Sequence, residues 1–386
     1  MRALHLLKTP VGATWALRLI RRLASYGVDV VVAMPPGVGE TAYSQIGIET
    51  IPFQSDINVR QPWRIKKQLE QLRSLVKTVQ PDVIHSHFYG TTLSMRLALG
   101  HRSRIPRFFQ VPGPLHLEHA PFRWLEVAVS SPTDRWIGTC KWTCERYLSL
   151  GIPPERVTLA YYGIDAPRVG PRHSGLLKKA LGLAASTRVV GMVAYVYAPK
   201  KYIGQRRGIK GHEDLVDAIA LLRANGRDVV GVFVGGPWGD KAVSYYRSLV
   251  DYGNRRVGGA AIFLGTRSDV SELYREFDVA VHPSHSENVG GAGESLLNGI
   301  PTIGTAVGGI PDAIQHGQTG WLVPPGEPRL LADRIGSVLD NPAEAEIVAL
   351  RGTQHATDLL DLETNARRVF TAYQAALQAS NERRTI

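Results

Sequence analysis

Residues 282–325 read HPSHSENVGGAGESLLNGIPTIGTAVGGIPDAIQHGQTGWLVPP. An apolar strand, Val279 to His282, leads in. A loop follows with two carboxylates, Glu287 and Glu294, around Gly290, Gly291 and Gly293. The pattern predicts a helix from about Ala292 to Asn298, a short strand from Thr302 to Gly304, and a second Gly-Gly turn at Gly308 and Gly309. Strand, glycine-rich loop and helix start together make an anion site. Backbone without side chains lets a phosphate reach the unpaired N–H groups of the helix. A carboxylate beside such a site suits a neutral polyol, because it accepts hydrogen bonds from two neighbouring hydroxyls. Phosphate plus vicinal hydroxyls describes a nucleotide sugar. The plainer reading of the same residues is a set of ordinary turns in an α/β domain, with Glu294 as an acid favoured by the helix dipole.

Outward from this stretch the chain alternates strands and helices. In the N-terminal half, strands are expected at Arg2 to Leu7, Val28 to Ala33, Ile48 to Phe53, Val83 to His85, Phe108 to Val111, Arg135 to Gly138 and Val157 to Tyr161. From about Asp165 the pattern loosens into a linker rich in Pro, Gly and basic residues. Alternation restarts at Val189 to Tyr195 and continues through Val229 to Gly235, Ala261 to Leu264 and Val279 to His282. Repeated βα units with Val/Ile-rich strands give parallel sheets covered on both faces. The fold class is therefore α/β, with two Rossmann-like halves. Gly12 lies at the first strand-to-helix turn, where such folds bind ligands. Leu362 to Ala379 reads as a closing helix.

At 386 residues the chain is long for one core, which also favours two domains. No run of about 18 apolar residues marks a membrane span, and MRALHLLKTP is too short and too interrupted for a signal peptide. Two cysteines one helical turn apart, Cys140 and Cys144, make neither a disulfide framework nor a zinc site. The expected location is cytoplasmic. Of the net charge of +11, residues 1–165 carry +8, with 20 Lys+Arg against 12 Asp+Glu. That half is the one expected to meet an anionic partner.

The opening stretch resembles the donor-site signature of the retaining family-4 glycosyltransferases of GT-B fold. Those read P-S-x-x-E-G-F-G-x-x-x-x-E-A-x-A-x-G-x-P-V-I-A-T-x-x-G-G-x-x-E, then G-x-x-G-x-L-V-x-P. Pro283, Ser284, Glu287, Glu294, Gly299, Pro301, Thr305, Gly308, Gly309, Gly320, Leu322, Val323 and Pro325 fall into that frame. Two departures stand out. Six residues separate the two glutamates where the family has seven, and Asn288-Val289-Gly290-Gly291 replaces the aromatic-glycine step. Lys210-Gly211-His212 matches the family's Lys-Gly-His/Asn. The arginine that precedes it in the family is displaced by an insertion, AYVYAPKKYIGQRR, leaving Arg207 as the candidate, with Lys200, Lys201 and Arg206 competing.

The resemblance implies two domains facing a central cleft. Residues 1–170 would bind the acceptor and 187–360 the nucleotide sugar, and 361–386 would cross back onto the first domain. It implies transfer of a hexose-type sugar from a nucleoside diphosphate to an acceptor hydroxyl with retention, in polysaccharide or glycoconjugate biosynthesis. Glu294 would hold the ribose. Glu287 and the backbone at Asn288, Val289, Gly290 and Gly291 would meet sugar and phosphates. Lys210, with Arg207, would stabilise the leaving diphosphate, and Gly235 and Gly236 would turn near the nucleotide. His116, in competition with His119, would bind a sugar hydroxyl. A nucleotide-sugar 2-epimerase of the same fold and a non-catalytic binder of anionic lipid or polysaccharide are the alternatives.

No cofactor is expected, and no metal. D-x-D, G-x-S-x-G and H-E-x-x-H motifs are all absent from the sequence. His85 and His87 share a strand face and could start a metal site, but the sequence shows no third ligand, and packing or hydrogen bonding is the reading taken. The segment from Arg60 to Lys77 is a basic amphipathic helix by spacing, able to lie on an anionic membrane or to be one solvated face of an ordinary helix. Expected partners are a nucleotide-sugar donor, a glycan or lipid-linked acceptor and that membrane surface. No nucleic-acid motif occurs.

Overall fold

The computed structural model describes residues 1–11, 13–57, 61–165 and 172–385. The chain divides into two compact units, residues 1–165 with 360–386, and residues 166–359.

The first unit holds seven parallel strands: β1 (Arg2–Leu6), β2 (Asp29–Met34), β3 (Glu49–Pro52), β4 (Val83–Ser86), β5 (Arg107–Gln110), β6 (Asp134–Gly138) and β7 (Val157–Leu159). Their order is β3-β2-β1-β4-β5-β6-β7. The central strands read as continuous apolar runs because helices cover both faces. One face packs on the helix Thr14–Ser25 through Ala16, Leu19, Ile20 and Leu23, and on the closing helix Leu362–Thr385 through Ala366, Val369, Tyr373 and Ala376. That helix joins the unit by backbone pairing, Ile164 N–H to Leu360 O at 3.0 Å. Gly163 permits the junction, since a Cβ there would overlap Leu362.

The second unit holds β8 (Arg188–Val193), β9 (Val229–Val234), β10 (Ala261–Gly265), β11 (Val279–His282), β12 (Thr302–Thr305) and β13 (Trp321–Val323). All are parallel, in the order β10-β9-β8-β11-β12-β13. The core includes Val189, Val190, Val232, Val279, Val281 and Ile303, with Leu215, Ile219 and Leu222 from the helix His212–Ala224. Asp278 closes the start of this sheet: its carboxylate accepts from Val189 N–H (2.7 Å) and Arg188 (2.9 Å).

In each sheet the order reverses once, beside β1 and β4 in the first unit and beside β8 and β11 in the second. The crevice outside the carboxyl ends of the strands at such a reversal is where doubly wound sheets bind ligands.

Candidate functional site

The second unit's reversal point is built by the segments that leave β8 and β11. After β8 the insertion does not stray. Ala194 N–H donates to Val234 O and Val196 N–H to Gly236 O, both at 2.9 Å, and Trp238 N–H returns a bond to Val196 O at 2.9 Å. The insertion thus extends the β8–β9 pairing beyond the sheet. Gly235 and Gly236 are packed against this extension and the β10 loop. A Cβ on Gly235 would overlap Ala194 O, and one on Gly236 would overlap Thr266 Oγ1. Their lack of side chains makes room for a backbone carbonyl at Gly235 and a threonine hydroxyl at Gly236.

The chain then reaches Lys210. Gly211 lies at φ +73°, and a Cβ there would fall far inside contact distance of Pro283 O, just past β11. His285 N–H donates to Ile209 O at 2.8 Å, across the same seam. The Lys-Gly-His run therefore works as a close-approach device that seats Lys210 on the loop after β11. There the Lys210 ammonium forms an ion pair with Glu287, the two side chains being 20% and 16% exposed. The ammonium also lies 5.9 Å from the centroid of the Tyr197 ring, contributed by the insertion.

Glu287 is held by short-range bonds: its Oε1 accepts from Asn288 N–H at 2.9 Å and Oε2 from Ser284 Oγ at 3.3 Å. The second glycine pair reaches it too, through Gly309 N–H to Glu287 O at 3.1 Å. Asn288 is buried, with an Oδ1 that has no hydrogen-bond partner.

The helix after this loop spans Gly290–Leu297, two residues earlier than the expected start. Glycine's poor helix propensity argued for a loop, but Gly293 N–H already bonds Val289 O at 2.8 Å. The amides of Gly290, Gly291 and Ala292 therefore form the open first turn. Gly290 is exposed with nothing near its missing Cβ, whereas a Cβ on Gly291 would press on His282 Nδ1 at 3.0 Å. His282 is buried, donates or accepts at Ser295 Oγ (3.0 Å), and is held neutral by burial, its pKa pushed down to about 4. Glu294 is half-buried in the same helix, close enough to Tyr274 for its charge to help raise that phenol's pKa, which burial chiefly drives.

The structure thus gathers Lys210, Glu287, Asn288 and the Gly290–Gly291 turn at one place, with Glu294 on the helix that leaves it. Arg207 is not among them. Its guanidinium binds Asp214 Oδ1 (2.5 Å) and Asp217 Oδ2 (2.8 Å) on the helix His212–Ala224, and these bonds raise its pKa against the opposing effect of burial. Two nearly buried carboxylates outcompete a place at the ammonium's side. Lys201 and Arg206 are exposed, and Lys200 N–H bonds Gln205.

His116 sits in the first unit, 6% exposed, among Tyr89, Phe109 and Tyr147. Its Nε2 meets Tyr147 Oη at 3.0 Å, and burial depresses its pKa to about 3. Those surroundings hold it as a neutral ring, whose buried Nδ1 has no hydrogen-bond partner. His119, its competitor, is half-buried at the start of the helix Ala120–Ala128. Gly12 lies outside the described residues.

Sequence reasoning missed the support beneath the loop. His285 Nε2 pairs with Asp214 Oδ2 at 2.7 Å, and that bond raises the imidazole pKa. Glu213 accepts from Tyr245, whose hydroxyl oxygen accepts Gly208 N–H at 2.8 Å. Acids at a helix start read as dipole partners in a sequence, and nothing in their spacing points across to residue 285.

Residues 12–168 match the family model described as Glycosyltransferase Family 4, and residues 201–341 match Glycosyl transferases group 1. The chain belongs to the group 1 glycosyltransferases. The D-inositol 3-phosphate glycosyltransferase of Acidothermus cellulolyticus is 26% identical to this glycosyltransferase, over 96% of this chain and 86% of that protein. The protein of the same name from Corynebacterium glutamicum is 30% identical over 49% of this chain and 44% of its own length. Among solved structures, Anabaena HepE in complex with UDP-glucose superposes with a TM-score of 0.78 at 20% identity, covering 97% of this chain and 100% of that one. Sucrose-phosphate synthase from Thermosynechococcus elongatus gives 0.77 at 18%, over 98% and 100%. These likenesses establish the GT-B fold of the glycosyltransferase.

Proposed function

We propose that this glycosyltransferase moves a hexose-type sugar from a nucleoside diphosphate to an acceptor hydroxyl with retention of configuration and without a metal ion. The observation that carries the reading is the Lys210–Glu287 pair beside the open first turn of the helix Gly290–Leu297. A diphosphate laid on the Gly290 and Gly291 amides would draw the ammonium to itself and free Glu287 for sugar hydroxyls. Asn288 Oδ1, buried and without a partner, suits one further hydroxyl donor. Glu294 takes the ribose. As the bond from C1 to the diphosphate oxygen breaks, Lys210 and the helix start stabilise the growing negative charge. The acceptor oxygen forms the new bond to C1, and its proton passes to the diphosphate. The donor in a fold relative, UDP-glucose, makes a uridine nucleotide the first choice.

The acceptor is proposed to be anionic and to meet the first unit, whose residues 1–165 carry the excess of Lys and Arg. A phosphorylated polyol, of the kind named for the inositol phosphate relatives, and a lipid-linked glycan both fit. Among the described residues no helix is long and apolar enough to cross a membrane. A peripheral contact would use the basic helix Ile65–Val79, which buries Leu72, Leu75, Val76 and Val79 and turns Lys66, Lys67 and Lys77 outward, behind an exposed Trp63.

A thermal-shift screen of nucleoside diphosphates and their sugars tests the donor reading. Ligand at a hundredfold its Kd adds about 2.7 kcal/mol, so one nucleobase series should raise the midpoint by several degrees. The product anomer, read by NMR with inositol 3-phosphate or a lipid-linked glycan as acceptor, tests retention. No shift with any nucleotide sugar rules the donor reading out.

A further inference from the structure

Three histidines meet inside the sheet of the first unit. His5 of β1 and His85 of β4 are register partners, and His87 follows β4 with its N–H on Leu6 O at 3.3 Å. All three are fully buried. Their ring centroids lie 4.9, 5.1 and 4.2 Å apart, and one ligand nitrogen from each falls within 4.8 Å of the other two. The sequence offers only the His85-x-His87 pair. Parallel pairing of β1 with β4 brings the third imidazole from eighty residues earlier.

A neutral imidazole has one N–H and one lone pair. Tyr162 gives its only proton to Gln110 O (3.0 Å), so its oxygen accepts from His87 Nδ1 (3.0 Å). His87 Nε2 therefore presents a lone pair, 2.8 Å from His5 Nδ1. Tyr373 Oη lies 2.5 Å from His85 Nδ1 and 3.4 Å from His5 Nε2. His85 Nε2 has no hydrogen-bond partner, and neither has Oε1 of Gln110, a side chain close enough to act on His85. Each ring thus has one nitrogen beside a tyrosine hydroxyl. His5 Nδ1, His87 Nε2 and His85 Nε2 remain for a ligand. Metal-binding histidines are held in this way, with the far N–H fixed by an outer partner. In a hydrogen-bonded cluster alone the buried His85 Nε2 has only the Gln110 side chain beside it, and the two do not complete a well-formed hydrogen bond.

We propose that His5, His85 and His87 form a buried site for one divalent cation of the zinc class, tying β1 to β4, with Tyr162 and Tyr373 as positioning residues. Three imidazoles with a water in the fourth position are a zinc ligand set, and imidazole suits zinc over magnesium or calcium. Metal–nitrogen distances of about 2.0–2.1 Å place tetrahedral ligand atoms about 3.3 Å apart, so the His5–His87 contact must open by about half an ångström and the wider separations, within 4.8 Å, must close. The role is structural and independent of the donor chemistry in the second unit.

Because the site is closed, metal enters on folding. The full chain is unfolded, refolded with zinc chloride or with chelator, desalted, and assayed for metal per chain. About one equivalent of zinc is expected, with a midpoint several degrees above that of the chelator-refolded protein. Cobalt refolding should give the visible bands of a tetrahedral, nitrogen-ligated ion. His85→Gln should lose both signals, and Tyr162→Phe should retain zinc about tenfold more weakly. Less than a tenth of an equivalent in the unmodified chain overturns the proposal. So does equal zinc in the unmodified chain and His85→Gln. If His85→Gln does not fold, the unmodified chain's metal count and cobalt spectrum decide.

Discussion

Gly211→Ala is the substitution whose cost can be worked from the backbone. Gly211 has φ +73° and Pro283 O stands where a Cβ would go. The left-handed conformation alone costs an alanine about 1 kcal/mol. The clash adds more, since carbonyl and loop must part by about 1.5 Å to restore ordinary contact. Such a shift separates Lys210 from Glu287, and misplacing a reacting group by about 1 Å can cost about a hundredfold in rate. Gly226 supplies the control. It has φ +78° and nothing within 4 Å of its missing Cβ, so Gly226→Ala carries the conformational cost without the clash. Gly226→Ala should lower the midpoint by about 2–4 °C and leave turnover within about twofold. Gly211→Ala should lower the midpoint further and cut kcat/KM by about a hundredfold. The assay pairs differential scanning fluorimetry with release of nucleoside diphosphate from the preferred donor. Equal behaviour of the two variants would refute the claim that Gly211 exists to seat Lys210.

Lys210→Ala removes a charge-assisted contact worth about 1.5–3 kcal/mol, so kcat should fall about tenfold to a hundredfold; weakened donor binding at unchanged kcat would assign the lysine to ground-state binding. The His285–Asp214 pair raises the imidazole pKa, so its stabilisation is fully present below the unfolded value near 6.5 and is lost as pH rises through the raised folded value. The midpoint gap between the unmodified chain and His285→Gln should accordingly be widest at pH 6 and close toward pH 9, and a gap that widens with pH would contradict the assignment. Trp63→Ser combined with Lys66→Ser and Lys67→Ser should abolish sedimentation with phosphatidylglycerol vesicles while sparing turnover on a soluble acceptor; unchanged sedimentation would remove this helix from the membrane reading.

The strand pattern was legible because buried parallel strands are apolar, Val-rich runs, and those at 28–33, 189–193 and 279–282 need no partner to be seen. Lys210, Glu287 and the glycines were legible as a motif, but their mutual contact was not. It depends on Gly211 meeting Pro283 O, a fact of tertiary approach. The partners of Arg207 were hidden for the same kind of reason. In sequence it is a basic residue near a cleft, and in space Asp214 and Asp217 take it. The helix start at Gly290 was hidden by composition, since propensity spoke against glycine in a first turn that a ligand site can favour. His5 stayed invisible beside His85 and His87 because strand order, not spacing, unites them.

A crystal structure of the full chain with uridine diphosphate tests the central claim most directly. The diphosphate should lie on the Gly290 and Gly291 amides with the Lys210 ammonium turned from Glu287 onto a phosphate oxygen, and the ribose should lie against Glu294. Nucleotide bound elsewhere, with the Lys210–Glu287 pair intact, would contradict it.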